Sequence, residues 1–530
     1  MLIDALLFAM LATNSSTSKV DVSKSNIAET TQCVWVHLSD KVIPAGGVRP
    51  EHTPLTERAL ARRKLRRGDA GIVDARDLPI DGARITALIA AGAEIRTQSR
   101  WLNAVAVAAT AREVRAIARL PFVRAVHPMH ATRSDLPRNE SPLGGEGGVA
   151  ATDYGLSRDQ LVQIGVPAMH ARGFRGAGVL IGILDTGFNR IHDAFHSVDH
   201  PLDVIAEWDF VSNDNNTGIE AGDDSEQHKH GTWILGTLAA YIPGTLVGSA
   251  YEAQFVLAKT EVVPTETAIE EDYYVAGLEF VEAQGADLAT SSLGYIDWYT
   301  PEQLDGLTAV TTRAVNIATA NGMICLTAAG NSGHDEDSAT NHMLAPADAL
   351  QGISCGAANA DESIAGFSSD GPSADGRIKP EVLARGVAVA TINSTNATTF
   401  AALSGTSLST PLIAGATALV LQARPEFTVT SMRSALFTTA SDMLANGTHD
   451  PLFVRGFGMI SAMRAAQTNR AIADINLDGI VDAADLTQLL GAWGPCSELD
   501  IAHNSCAGDL NGDGLVSAAD LAVMLDAWGI

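Results

Sequence analysis

Between residues 179 and 424 the sequence alternates short apolar runs with longer stretches of helical spacing, and few folds accommodate that alternation. VLIGILD (179–185), AQFVLAKT (253–260), DLATSSLG (287–294), MICLTAAG (323–330) and GISCGAA (352–358) have strand length and are apolar on both faces. HGTWILGTLAAYI (230–242) and TSLSTPLIAGATALVLQAR (406–424) space their apolar residues as helices do. A strand that is apolar on both faces must be covered on both, and parallel neighbours need long crossovers. The spacing therefore predicts an α/β domain of three layers, a parallel sheet between helices.

In such sheets chemistry collects where strands end. Asp185 ends the first run and is followed by the turn Thr186-Gly187; His230 opens a helix; Ser407 lies in SGTSLSTP, at the start of the long apolar helix. Serine is a weak nucleophile that needs a neutral imidazole to take its proton, and the imidazolium needs a carboxylate. Ser407 is thus the expected nucleophile, His230 the base and then the acid, and Asp185 the orienting group. Asn331, in TAAGNSG after a strand, offers a side-chain amide for the oxyanion beside the Ser407 N–H. Each segment is common alone; four of them in the order Asp, His, Asn, Ser carry the reading. A second Asp-Thr-Gly, which an aspartic protease needs, is absent, and an α/β-hydrolase esterase would need Gly-x-Ser-x-Gly with the order Ser, Asp, His.

Through ILDTGF, HGTWILGT, TSSLG, TAAGNSG, FSSDGPSADGRIKPEVLA and SGTSLSTPLIAG, residues 155–470 resemble the subtilisin-like serine peptidases, or subtilases. The resemblance implies an endopeptidase that acts on extended protein and peptide substrates. It implies that Ser291, Ser292, Leu293 and Gly294, with Ala328, Ala329 and Gly330, line the substrate cleft and pair with the substrate by strand addition. It also implies that the preceding domain is an inhibitory propeptide that assists folding. Two positions depart from the family pattern: Trp233 stands where many members have a second His, and Leu408 follows the serine where Met is frequent. Calcium sites of the catalytic domain do not map onto this sequence.

Residues 33–130 read strand, helix, strand, strand, helix, strand, with Thr110 capping the second helix, the order of a ferredoxin-like α+β domain. TERALARRKLRRGDAG (56–71) is an insert expected as a basic surface helix. Residues 131–154 lack periodicity and read as an exposed, cuttable linker. Residues 1–32 carry a short apolar stretch in which Asp4 replaces the usual basic start, a weak leader pointing to a secreted or cell-surface protein. No other stretch is apolar for long enough to span a bilayer. The formal charge of −27 is uneven: residues 1–130 hold 18 Lys and Arg against 12 Asp and Glu, and the remainder 17 against 50. A net +6 against a net −33 fits either attraction between the two parts or an acidic surface that keeps a secreted protein soluble, and so acidic a surface argues against nucleic acid as a partner.

The tail, residues 474–530, contains a repeat: Asp474 to Asp485 recurs as Asp509 to Asp520, each followed by an apolar helix ending in Ala-Trp-Gly. Asp474, Asn476, Asp478, Ile480, Asp482 and Asp485, and again Asp509, Asn511, Asp513, Leu515, Ser517 and Asp520, fall at loop positions 1, 3, 5, 7, 9 and 12, with Gly479 and Gly514 at position 6. Ile480 and Leu515 would serve through their carbonyls. Such oxygen-rich loops with a sharp central turn suit Ca²⁺, one ion in each. The pair resembles a dockerin, a small α module, which implies a cohesin-like partner. Cys496 and Cys506 are close enough in sequence for a disulfide, and Cys325 and Cys355 read as buried thiols. The competing reading, an idle peptidase fold serving as a calcium-dependent scaffold, is opposed by the intact Asp185, His230, Asn331 and Ser407.

Overall fold

The computed structural model describes residues 30–68, 71–129, 154–263, 270–296, 299–335, 337, 339–496 and 506–529, with the backbone of 141–143. At its centre is a seven-stranded sheet in the order Val382–Arg385, Ile353–Ala358, Ile324–Ala328, Leu288–Ser291, Leu180–Asp185, Gln254–Lys259 and Asp203–Asp209. Every neighbouring pair is parallel. The side-chain period of two divides each strand between two cores. Ile181, Ile183, Phe255 and Leu257 pack with Leu235 and Leu412, on helices Lys229–Ala239 and Thr406–Ala423. Leu180, Leu184, Val256 and Ala258 pack instead with Leu278 and Ala314, on helices Glu271–Gln284 and Val310–Ala320. Thr406–Ala423 is, contrary to the sequence reading, long and apolar enough to cross a bilayer, but 94% of its apolar window is buried in the protein.

From Leu180–Asp185 the chain first builds the sheet towards Asp203–Asp209 and then crosses to Leu288–Ser291 on the other side. Asp185 and Ser291 thus end two adjacent strands at the point where the winding reverses, the place where such sheets open a crevice.

The first domain has an antiparallel sheet in the order Glu94–Ser99, Ala104–Thr110, Thr31–Leu38, Val123–Pro128. Helices Gly82–Ala90 and Ala111–Ile117 complete it, and Thr110 caps the second through a capping box with Glu113. Val34 and Val36 face these helices, whereas Trp35 between them, with Trp101 and Ala106, joins the core of Leu278 and Ala314. One sheet thus serves the cores of both domains.

The insert forms a helix, Glu57–Arg66, but it is not a surface helix: Arg62, Arg63 and Arg66 are buried. They lie against carboxylates of the peptidase domain, so their charge is matched inside the protein. The linker is not wholly irregular either. Ser141–Leu143 pairs antiparallel with Phe400–Ala402, adding a third strand to the hairpin Val389–Ile392 and Phe400–Leu403. The rest of residues 131–153, and the leader to residue 29, lie outside the described residues.

In the tail, helices Ala483–Gly491 and Ala518–Asp526 pack around Val481, Leu489, Val516 and Met524, and Cys496 and Cys506 are joined by a disulfide. The tail does not begin as an independent unit at Asp474. Leu477 is buried in the large peptidase core, and Arg172 Nε donates to the Ile475 carbonyl at 2.6 Å.

Candidate active site

Asp185 is the last residue of a buried strand and is itself fully buried. Its Oδ1 accepts the Thr186 N–H at 2.7 Å and lies 2.8 Å from His230 Nδ1. A carboxylate only accepts, so Nδ1 carries a proton, and in the neutral imidazole Nε2 is then the acceptor. Among the described residues, buried Nε2 has no hydrogen-bond partner.

Small residues make this closeness possible. A Cβ on Gly231 would stand 2.3 Å from the Gly187 carbonyl, and Gly187 has φ +122°. The Gly231 N–H donates to Thr186 Oγ1 at 3.2 Å, and the Asn189 N–H to Thr232 Oγ1 at 2.8 Å. The Asp-Thr-Gly turn and the His-Gly-Thr helix start are therefore two halves of one contact. Trp233 sets its ring nearly perpendicular to His230, with centroids 6.2 Å apart, and is buried.

Ser407 is the second residue of its helix, with Gly405 at the N-cap. Its hydroxyl donates to the Ser292 carbonyl at 3.2 Å, and the Ser292 hydroxyl returns a bond to the Ser407 carbonyl at 2.8 Å. Asn331 Oδ1 accepts from both the N–H and the Oγ1–H of Thr406, at 2.8 and 3.0 Å. With its oxygen tied there, the amide must present its NH₂ on the other side. Thr406 was missed in the sequence, although it adjoins Ser407; its signal was a hydroxyl beside the expected nucleophile, easily read as part of a turn.

The two expected cleft segments differ. Among the described residues, the backbone N–H and C=O of Leu293 and Gly294 make no hydrogen bond, so an open strand edge follows Ser291. In the other segment Ala328 belongs to a sheet strand. The Ala329 N–H donates to Cys355 and its carbonyl accepts from Leu344; the Gly330 N–H donates to Thr406 Oγ1 and its carbonyl accepts from Ser369. Strand addition at Ala329 and Gly330 is thus overturned, since their backbone groups are already used; they can offer only a surface.

Asp209, Asp214 and Glu220 are the one group of acids among the described residues with ligand atoms close enough to share a cation, within 4.8 Å of one another. Lys259 Nζ already stands 2.8 Å from Asp209 and neutralises it. In the tail, Asp474 accepts the N–H groups of Asp478 and Gly479, and Asp509 those of Gly512, Asp513 and Gly514. Asp485 accepts from Asn476 and Asp482, and Asp520 from Leu510, Asn511 and Ser517. Both loops curl in the same way around their first and last carboxylates.

The first domain covers helix Glu271–Gln284. Asp272 meets Arg96 at 3.2 Å and Thr97 at 3.1 Å, and Glu279 meets Arg100 at 3.0 Å and Ser99 at 2.6 Å. Burial pushes the Asp272 carboxyl up to about 6, against the pull of Arg96 and Thr97. In the separated peptidase domain, without that cover, Asp272 would return towards the ordinary carboxylate range. Because the bound value is raised, this site favours association fully below about pH 4 and loses that contribution as pH rises through about 6. Relative to Asp272→Asn, inhibition by the first domain should tighten by up to about 10²-fold between pH 7 and pH 4. Equal pH dependence of the two inhibition constants would sink this expectation.

Residues 176–459 match the Subtilase family, and residues 33–142 match the peptidase S8 propeptide domain of Bacteroidota. Over 380 residues the chain is 28% identical to subtilisin E of Bacillus subtilis (strain 168), covering 71% of this chain and 84% of that one. It is 31% identical over 314 residues to subtilisin DY of Bacillus licheniformis, covering 58% of this chain and 100% of the relative. Fervidolysin from Fervidobacterium pennivorans, described as a keratinolytic enzyme related to subtilisin, shares the fold at a TM-score of 0.57 and 20% identity. That likeness covers 84% of this chain and 62% of the fervidolysin chain. With a family match across more than half its length and a propeptide domain ahead of it, this chain belongs to the Subtilase family and is a subtilisin-like serine-type endopeptidase.

Proposed function

We propose that the protein is the zymogen of a secreted endopeptidase that cuts extended protein substrates through Asp185, His230 and Ser407. The observation that carries this reading is the 2.8 Å contact of His230 Nδ1 with Asp185, which leaves a buried Nε2 without a partner among the described residues. Ser407 Oγ leaves the Ser292 carbonyl by rotation about χ1 and gives its proton to Nε2 as it attacks the scissile carbonyl carbon. The carbonyl electron pair moves to oxygen, where the Asn331 NH₂ and the Ser407 N–H at the helix start receive it. The imidazolium, held by Asp185, protonates the leaving amine as the C–N bond breaks. Water then repeats the attack on the acyl-enzyme and releases the acid. Substrate is aligned along Ser292, Leu293 and Gly294.

Residues 33–130 are, in this reading, a ferredoxin-like inhibitor joined to the peptidase domain by a cuttable linker. The tail is a dockerin-like module whose two loops each hold Ca²⁺ through oxygen donors alone. Its exposed Ile480, Leu490 and Trp493, repeated as Leu515, Leu525 and Trp528, support attachment to a protein partner such as a cohesin.

A serine-directed fluorophosphonate tests the reading: after linker cleavage it should label one peptide, the one containing Ser407. Labelling elsewhere, or none on an active preparation, would refute the assignment. Asn331→Ala should keep the label and lower kcat by about 10²–10³, measured on a peptide substrate.

A further inference from the structure

Helix Glu57–Arg66 lies outside the two-layer frame of the first domain, between its first strand and first frame helix. Its partners lie at the starting ends of the central strands, opposite the end where Asp185 stands. Arg58 Nη2 contacts Asp287 and the Gly178 carbonyl at 2.8 Å each, and Arg66 contacts Asp287 at 2.9 Å. Asp287 precedes strand Leu288–Ser291, so roughly 13 Å of strand separates it from the cleft end. Arg62 and Arg63 both bind Glu282, which is fully buried, and Arg62 also donates to the Ala286 carbonyl at 2.5 Å.

Three independent features make this a built receptor for guanidinium groups. The first is a pair of carboxylates, Glu282 and Asp287. Burial opposes ionisation of Glu282, yet Arg62, Arg63 and Arg100 overcome it and hold the carboxyl at about 2. The second is a helix end: Glu271–Gln284 terminates here, and its Ala283 carbonyl accepts both the N–H and the Oγ1–H of Thr56 at 3.0 Å. A helix C-terminus favours cations. The third is a landing made by two glycines. A Cβ on Gly285 would come within 2.7 Å of the Ala59 nitrogen, and one on Gly322 within 2.8 Å of Arg66 Cβ.

We propose that this face of the peptidase domain is an arginine-binding exosite, and that through it the first domain stays attached after the linker is cut. The proposal rests on the reading of that domain as a releasable inhibitor. Because Glu282, Arg62 and Arg63 are buried, salt screens this anchor far less than it would surface charges. The general attraction of a basic for an acidic segment, one of the two readings the composition allows, is thus concentrated in a few guanidinium contacts.

The test avoids any need for self-cleavage. In full-length Ser407→Ala, the recognition sequence of a site-specific endoprotease replaces residues 132–138, and the chain is cut there. Dissociation of the first domain is then followed by size-exclusion chromatography after dilution. Arg62→Ala with Arg66→Ala, whose side chains bond only to the peptidase domain among the described residues, should speed release by at least about 100-fold, since breaking buried ion pairs is strongly destabilising. Glu282→Gln, which leaves the first domain unaltered, should do the same. Arg62→Lys with Arg66→Lys should remain at least about tenfold faster than the parent, because lysine keeps the charge without the planar fork. Release within threefold of the parent in Glu282→Gln and the alanine pair would overturn the exosite, and full restoration by lysine would overturn guanidinium recognition.

Discussion

Full-length Ser407→Ala should remain uncut and hydrolyse peptides on the order of 10⁶-fold more slowly than the wild type, a loss known for a nucleophile that works as one unit with its base. His230→Ala should lose about as much, and the double variant little more, because neither group has a role without the other. Asp185→Asn should cost on the order of 10⁴ in kcat: the amide can donate to Nδ1 and so favours the tautomer that puts the proton on Nε2. Steady-state kinetics on one peptide, with protein folding checked by thermal unfolding, distinguishes these losses. Additive losses in the double variant would show that Ser407 and His230 do not act together.

Calcium removal should have the second large effect, confined to the tail. Loop one brings together Asp474, Asp478, Asp482 and Asp485, and loop two Asp509, Asp513 and Asp520, over a core with few fully buried side chains. Without a divalent cation, like charges oppose the fold, so metal binding and folding of residues 479–529 should be one event. Arg470 lies 3.1 Å from Asp474, four residues ahead of the first loop, whereas the matching position ahead of the second loop is the uncharged Ser505. A resident cation competes with calcium for the first loop, so the second loop should fill first in a calcium titration followed by circular dichroism. Helices that persist in chelator would refute metal-dependent folding. Truncation after Gly479 should leave hydrolysis intact. Truncation after Arg470 should also destabilise the peptidase domain by about 2–5 kcal/mol, because it removes Leu477 from the main core. Equal melting temperatures of the two truncations would contradict the shared core.

Strands apolar on both faces, such as Leu180–Asp185 and Ile324–Ala328, were legible because burial demands hydrophobicity at every position. Asp203–Asp209 was not: it is an edge strand, half-exposed, and its two aspartates and one glutamate interrupt the apolar pattern. The prospective catalytic side chains could be picked out one by one, but their mutual support could not. That Gly231 must lack a side chain to meet Gly187, or that Thr406 turns the Asn331 amide, depends on contacts between segments far apart in sequence. The arginine helix was misjudged for a related reason. Charge density predicts solvent exposure unless opposite charges are waiting, and Glu282 and Asp287 stand more than two hundred residues away.

The three-residue strand Ser141–Leu143 gives the position of a linker cut a mechanical meaning. Its partner, Phe400–Ala402, leads within a few residues to Ser407. A cut ahead of Ser141 leaves the new amino terminus woven into that sheet, where it can brace the approach to the serine. A cut behind Leu143 carries the strand away with the departing domain and reduces the sheet to a hairpin. The main-chain groups of Phe400–Ala402 that it had paired would then form a bare edge, able to accept another extended chain. A few residues' difference in where the chain is severed thus decides whether the finished enzyme has a hemmed or a raw border beside its serine.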